Sequence, residues 1–219
     1  MALFQSPNVV TDGLVLCLDA ANIKSYSGSG TNWKNLTGTS IDGTLTNGPT
    51  FSGDNLGYLL FDGTNDYTSF SSYSQPAYST STSFTWYVWV YPFAVGQNDE
   101  LILGNRGNDL DFTKLTTNRF EYYSDNFGPA MTANIWQNIC ITKNGTSFTY
   151  YKNGISVATQ TSSITKPSKD FFIGGDPRPE AGSAELSHSR ISIVAIYDKA
   201  LTAAEVLQNY NALKNRYGL

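Results

Sequence analysis

Scarcity of charge, of cysteine and of histidine limits what this chain can do. Charged residues make up 15% of the 219 residues, against roughly 25% in an ordinary soluble domain. The formal net charge of −4 argues against nucleic acid as a partner, because that binding depends on clustered Lys and Arg. Two cysteines, Cys17 and Cys140, make no disulfide framework. They lie inside apolar strand patterns and read as reduced core thiols. The single histidine, His188 in Ser187-His188-Ser189, has no Gly-x-Ser-x-Gly elbow to serve and no second His or Cys cluster with which to hold zinc. P-loop and dinucleotide fingerprints are missing as well. No run approaches the ~18 apolar residues of a membrane span. The opening Met1-Ala2-Leu3-Phe4-Gln5-Ser6-Pro7-Asn8 lacks the basic start and apolar core of a signal peptide. The expectation is a protein released by lysis or trimmed of a leader, with no membrane insertion.

What the chain has is neutral polarity and turns. Ser, Thr, Asn, Gly and Tyr must cover most of the surface, which suits a protein that meets sugars or other proteins outside cells. Asp12-Gly13, Asp42-Gly43, Asn47-Gly48-Pro49, Asp62-Gly63, Asn144-Gly145 and Asn153-Gly154 punctuate short β-branched and aromatic runs. These runs predict strands near 14–18, 58–62, 67–70, 84–91, 101–104, 110–115, 119–124, 137–142, 147–152, 155–159, 170–174 and 190–197. That density of short strands argues for one all-β, antiparallel two-sheet sandwich occupying 12–219, after an N-terminal arm over 1–11. Such an arm is a loose terminus or an anchor to a neighbouring subunit. Residues 20–57, rich in Gly, Ser, Thr and Asn, read as long rim loops.

The C-terminal stretch breaks the pattern. Ile191, Ile193, Ala195 and Tyr197 alternate with Ser192, Val194 and Ile196 as a buried strand. Thr202 followed by Glu205 makes a capping box for a helix over roughly 202–215, with Val206, Leu207, Tyr210, Leu213 and Tyr217 as its apolar stripe and Gly218 at its end.

This ending resembles the close of laminin-G-like modules of the concanavalin A-like lectin/glucanase superfamily. Further matches follow the expected order: Phe61-Asp62-Gly63-Thr64-Asn65-Asp66-Tyr67, Phe84 to Pro92, Trp136 to Lys143, Tyr151-Lys152-Asn153-Gly154 and Phe172-Ile173-Gly174-Gly175. Together they cover about residues 12 to 217. Leu16-Cys17-Leu18-Asp19-Ala20-Ala21-Asn22 looks like the start of domains found in virion proteins of tailed bacteriophages. The resemblance implies a concanavalin A-like jelly-roll sandwich with one short C-terminal α-helix, and it assigns the inter-sheet face of the strand at 84–91 to Phe84, Trp86, Val88 and Val90.

Tyr87, Trp89 and Tyr91 then occupy the opposite face, where rings stack on the apolar face of a pyranose. These are the candidate carbohydrate-binding residues, unless a loop, the closing helix or a second subunit covers them. Relatives often hold calcium at the sandwich rim, and Asp62, Asn65 and Asp66 in the matching motif are the candidate ligands, with Asn105, Asn108, Asp109, Asp111 and Asp176 as additions. The alternative for Asp62 and Asn65 is an Asx turn. Many relatives carry two acids in the strand before the closing helix, where this chain has Ser192 and Ile at the matching places, which weakens the calcium reading. Glucanases of the superfamily carry a Glu-x-Asp-x-(x)-Glu strand. Neither Asp109-Leu110-Asp111-Phe112 nor Glu180 to Glu185 fits it, so no catalysis is expected. Two functions remain. One is a virion fibre or capsid-associated adhesion protein, or an extracellular carbohydrate-binding module, attaching to cell-surface glycans. The other is a decoration and packing protein with no sugar site. Attachment would rest on stacking and neutral hydrogen bonds, little changed by salt, with homo-oligomers or other virion proteins supplying avidity. Loss of binding on Trp89→Ala with the fold intact is the corresponding expectation.

Overall fold

A computed structural model of the chain describes residues 7–75, 79–93, 100–105, 119–122, 126–163, 165, 167–177 and 185–219. Two antiparallel sheets make the sandwich. The larger has eight strands. From one edge it runs Ile155–Thr161, Ser147–Lys152, Gln137–Asn144, Ser83–Pro92, His188–Tyr197, Tyr58–Asp62 and Thr50–Ser52, and Leu14–Asp19 pairs with the second half of His188–Tyr197. The smaller sheet has five, in the order Asn32–Trp33, Gly43–Thr46, Tyr67–Gln75, Lys169–Ile173 and Leu103–Gly104. Three of these short strands lie inside the 20–57 stretch expected to be loop, counting Thr50–Ser52 of the larger sheet with Asn32–Trp33 and Gly43–Thr46. The latter two have as their cores single residues, Trp33 and Leu45, set among Thr and Asn, so no apolar run announces them. The expected strand at 110–115 lies outside the described residues.

Period-two alternation in Ser83–Pro92 sorts the interior into two layers. Phe84, Trp86, Val88 and Val90 point between the sheets, against residues such as Leu45, Phe70, Phe171 and Ile173 of the smaller sheet. Tyr87 and Trp89 point the other way into a second cluster with Cys140, Tyr151, Ile193, Ala195 and Tyr197. The helix Ala203–Leu213 and the 3-10 turn Lys214–Tyr217 close over that second layer with Val206, Leu213 and Tyr217.

The helix begins where its capping box places it: Thr202 Oγ1 accepts from the Glu205 amide at 3.3 Å, and Glu205 Oε2 accepts from the Thr202 amide at 2.7 Å. Its stripe differs from the expected one at two places. Leu207 is exposed, and Asn209 is buried instead. Asn209 Nδ2 donates to the Tyr197 hydroxyl at 2.9 Å, and Asn209 Oδ1 accepts from the Val10 amide at 2.7 Å. The Tyr197 hydroxyl in turn donates to the Val10 carbonyl at 3.0 Å. This polar relay pins Val10 against the helix layer. Both cysteines are free.

The strand His188–Tyr197 carries a β-bulge. Ile191 pairs with Val90 and Ile193 with Trp89, which leaves Ser192 as the inserted residue, its hydroxyl donating to the Gly57 carbonyl at 2.6 Å. An inserted residue reverses the alternation. Ile191 therefore faces inward while Ile193, Ala195 and Tyr197 face the helix, so the uniform alternation read from the sequence holds only after Ser192.

Candidate binding site

The aromatic trio expected on the outer face divides at the helix. Tyr87 and Trp89 are 1% and 0% exposed. Trp89 stacks on Tyr217 at 4.0 Å between ring centroids and on Tyr210 at 5.7 Å, and its Nε1 donates to the Tyr87 hydroxyl at 3.0 Å. Neither ring offers a face to a sugar, because the closing helix and its terminal turn occupy that face. These two assignments are corrected. Tyr91 lies beyond the reach of the helix and is half-buried.

Around Tyr91 the strands bring residues together in two rows. Leu60, Arg190 and Tyr91 sit side by side across three strands. One step toward the rim, Asp62 pairs with His188, and the Phe93 amide donates to the His188 carbonyl at 3.1 Å. The Arg190 guanidinium carbon is 4.5 Å from the Tyr91 ring centroid, 4.9 Å from Phe93 and 5.0 Å from Tyr58. Phe93 stacks on His188 at 4.4 Å. Tyr91 meets Trp136 edge-on at 5.8 Å. Tyr58 and Trp136 are buried beneath, Tyr91, Phe93 and Arg190 are half-exposed, and His188 is exposed.

The loops beside this cluster expose apolar side chains. Ile135 is 45% exposed and Leu56 is 64% exposed. Leu56 holds a φ of 67°, a region that costs a residue with a Cβ roughly 1–2 kcal/mol. Its neighbour Asn55, also left-handed at φ 50°, accepts from Trp136 Nε1 at 3.1 Å. Strain of this kind clusters where a chain holds side chains out for a purpose.

The candidate calcium ligands form a turn. Asp62 Oδ1 accepts from the amides of Thr64 at 2.7 Å and Asn65 at 3.3 Å, the Asx arrangement, and these amides, Thr64's foremost, hold its carboxyl below the usual range. Asp66 Oδ2 accepts from the Asp62 amide at 3.2 Å, and burial pushes its carboxyl up. Asn65 lends its carbonyl to Asn47 Nδ2 at 2.8 Å. Asn105 donates to the Asp170 carbonyl at 2.8 Å, and Asp176 is buried in the short strand Gly175–Asp176. Asn108, Asp109, Asp111 and Glu180 lie outside the described residues. Among the described residues no group of three or more acidic, His or Cys side chains converges as a metal site requires. Glu100 sits behind His188, its Oε2 accepting the His188 amide at 3.1 Å, and burial raises its carboxyl to about 7. At another part of the rim, a polar cleft of about 470 Å³ is lined by Ser27, Ser29, Asn32, Lys24 and Lys34.

The model of a laminin G family described as the concanavalin A-like lectin/glucanases superfamily matches residues 62–207. The chain belongs to that family. No curated protein sequence matches it. Among solved structures, Trypanosoma rangeli sialidase in complex with sialic acid is similar at TM-score 0.69 and 16% identity, over 97% of this chain and 36% of the sialidase. The binding domain of Paraclostridial Mosquitocidal Protein 1 is similar at TM-score 0.69 and 17% identity, over 94% of this chain and 55% of that domain. The botulinum neurotoxin serotype G binding domain follows at TM-score 0.64 and 17% identity, over 90% of this chain and 50% of that one. The chain thus spans about a third of the sialidase and about half of each toxin domain. These likenesses establish the fold: a concanavalin A-like sandwich shared by an enzyme and by binding domains, so the fold by itself does not decide catalysis.

Of the sequence-predicted trio only Tyr91 stays partly open, and its neighbours Arg190, Phe93 and His188 were not among the candidates for sugar binding. A signal was present: Arg190 is the one charged residue in the run Arg190 to Tyr197. Without the bulge at Ser192, its face could not be read from the pattern.

Proposed function

We propose that this chain is a non-catalytic attachment module of a virion or other extracellular assembly, binding cell-surface glycans at the rim cluster around Tyr91. One observation carries the reading: Tyr91, Phe93 and His188 present partly open rings where the closing helix leaves the outer face of the large sheet uncovered. Aromatic faces beside a polar turn fit a pyranose, whose apolar face stacks while its hydroxyls bond at the edge. Family membership and the two toxin binding domains of like fold are compatible with binding, and the sequence lacks the paired-acid strand of the glucanases. The virion setting draws support from the opening Leu16 to Asn22, which resembles domains of tailed-bacteriophage virion proteins. The test is a glycan array probed with a multivalent form of the chain, alongside Tyr91→Ala and Phe93→Ala. Binding that disappears in both variants while circular dichroism is unchanged supports the reading. An array that stays blank, with and without calcium, overturns it.

A packing role has one observation of its own. The edge strand Ile155–Thr161 exposes Ile155 at 65% and Val157 at 47%, a surface suited to a neighbouring subunit. Sedimentation of the wild type against Val157→Lys decides whether this edge joins copies.

A further inference from the structure

We infer that Arg190 makes the rim cluster selective for sugars that carry a carboxylate. The inference rests on the glycan-binding reading above and names the class of ligand.

The Arg190 side chain makes no hydrogen bond or ion pair to any described residue, and its Nε is buried without an acceptor. Three aromatic rings surround the guanidinium at 4.5 to 5.0 Å. Ring faces attract the cation, but they accept none of its N–H bonds in the plane of the fork. A guanidinium stays charged at every accessible pH, and keeping it from water without an acceptor is unfavourable. The two acids nearby are already engaged by backbone. Asp62 Oδ1 holds the amides of Thr64 and Asn65, and Glu100 Oε2 holds that of His188. Neither pairs with Arg190, so among the described residues its guanidinium has no carboxylate partner, on a chain of net charge −4.

An incoming carboxylate supplies acceptors to the terminal Nη groups of the partly exposed side chain, which unlike Nε are not buried. Its planar pair of oxygens matches the guanidinium fork, a geometry a single hydroxyl cannot match. A sugar ring bearing that carboxylate then rests against the parts of Tyr91 and Phe93 that Arg190 and His188 leave exposed. The arrangement also modifies the salt dependence expected from sequence. One charged contact adds a modest ionic-strength effect to a surface otherwise dependent on stacking.

The experiment compares wild-type multimer on three immobilised oligosaccharides of one backbone: uronic-acid-bearing, the same chain with its carboxyls reduced to alcohols, and a sulfated counterpart. Wild type should bind the carboxylated form about 10- to 100-fold more tightly than its reduced twin, the range for a hydrogen bond to a charged group. Arg190→Gln and Arg190→Lys should lose most of that preference. Equal binding of acidic and reduced forms overturns the inference and leaves the glycan reading standing. Binding of the sulfated form as tight as the carboxylated one overturns the carboxylate assignment. A preference that survives in Arg190→Gln removes Arg190 from the role, and silence on every sugar defeats both readings. Should the Arg190 variants not fold, the wild-type comparison of acidic and reduced twins still decides.

Discussion

Replacing Trp89 by alanine separates a core residue from a binding residue. Its indole is fully buried between Tyr217 and Tyr210, stacked on both, and tied to the Tyr87 hydroxyl. A buried indole removes roughly 150–250 Å² from water, which at about 25 cal/mol per Å² is about 4–6 kcal/mol. Large-to-alanine core substitutions of aromatics cost about 3–5 kcal/mol, so a loss near 4 kcal/mol is expected. For a domain of this size, each kcal/mol lowers Tm by about 2–4 °C, giving a fall of about 8–16 °C. Thermal and urea unfolding followed by far-UV circular dichroism measure it directly, with Tyr91→Ala as the half-exposed control that should lose less than about 1.5 kcal/mol. A Trp89→Ala protein with unchanged Tm and abolished binding would refute the buried placement and return the ring to the surface.

Three further outcomes follow from buried groups. Lys143, almost fully buried, donates from Nζ to the carbonyls of Ser79 at 2.6 Å and Thr82 at 2.9 Å, to Thr82 Oγ1 at 3.0 Å and to the Gly145 carbonyl; Lys143→Met removes the charged donor these four oxygens share and should cost about 1–3 kcal/mol in urea unfolding. Glu100 holds its proton to about pH 7 in the fold, against 4.5 as the ordinary value, so the native state binds the extra proton and stability should fall as pH rises from about 4.5 to about 7, a slope that Glu100→Gln removes. Burial raises the Cys17 thiol to about 11 and pushes Cys140 up further; a thiol reagent at pH 8 should leave both unmodified in the native protein and label both after denaturation.

Elements with local chemistry were legible in the residues themselves. Thr202 and Glu205 fix the helix start because the capping box satisfies amides that no tertiary contact needs to supply. Asn153 and Gly154, at φ 51° and 76°, form the hairpin that their sequence specifies, because few residues accept two successive left-handed conformations. The inward face of Ser83–Pro92 followed from alternation and family resemblance together. The short strands Asn32–Trp33 and Gly43–Thr46 were hidden for the opposite reason. Their pairing rests on backbone bonds between polar residues, and only Trp33 and Leu45 bury large side chains there. Gly43 has to be small, since a Cβ would come within 2.7 Å of Thr68 Cγ2, but nothing in the local sequence announces that neighbour.

The site escaped the sequence because two non-local features decide it. Alternation places Tyr87, Trp89 and Tyr91 on one face with equal authority, yet it carries no information about where a helix more than a hundred residues later will lie. The helix of Ala203–Leu213 and its terminal turn reach Trp89 and stop short of Tyr91. The same face is therefore core at one end and open at the other. The bulge at Ser192 does the rest. It restores Ile193 to the helix side while keeping Arg190 beside Tyr91, so one inserted residue lets a single strand feed the buried layer and deliver a cation to the rim. Regular pairing with Ser192 still in the ladder would force a choice between the two. Either Ile193, Ala195 and Tyr197 leave the helix layer, or Arg190 turns inward between the sheets, where an unpaired guanidinium is far costlier than at the rim. Deleting Ser192 avoids that choice: Ile191 stays opposite Val90 and Ile193 opposite Trp89 in an unbroken ladder. The deletion protein should therefore keep both faces and lose only the bonds of Ser192 to Gly57 and Ala20, and a deletion protein without the far-UV circular dichroism of the wild type would refute this account of the bulge.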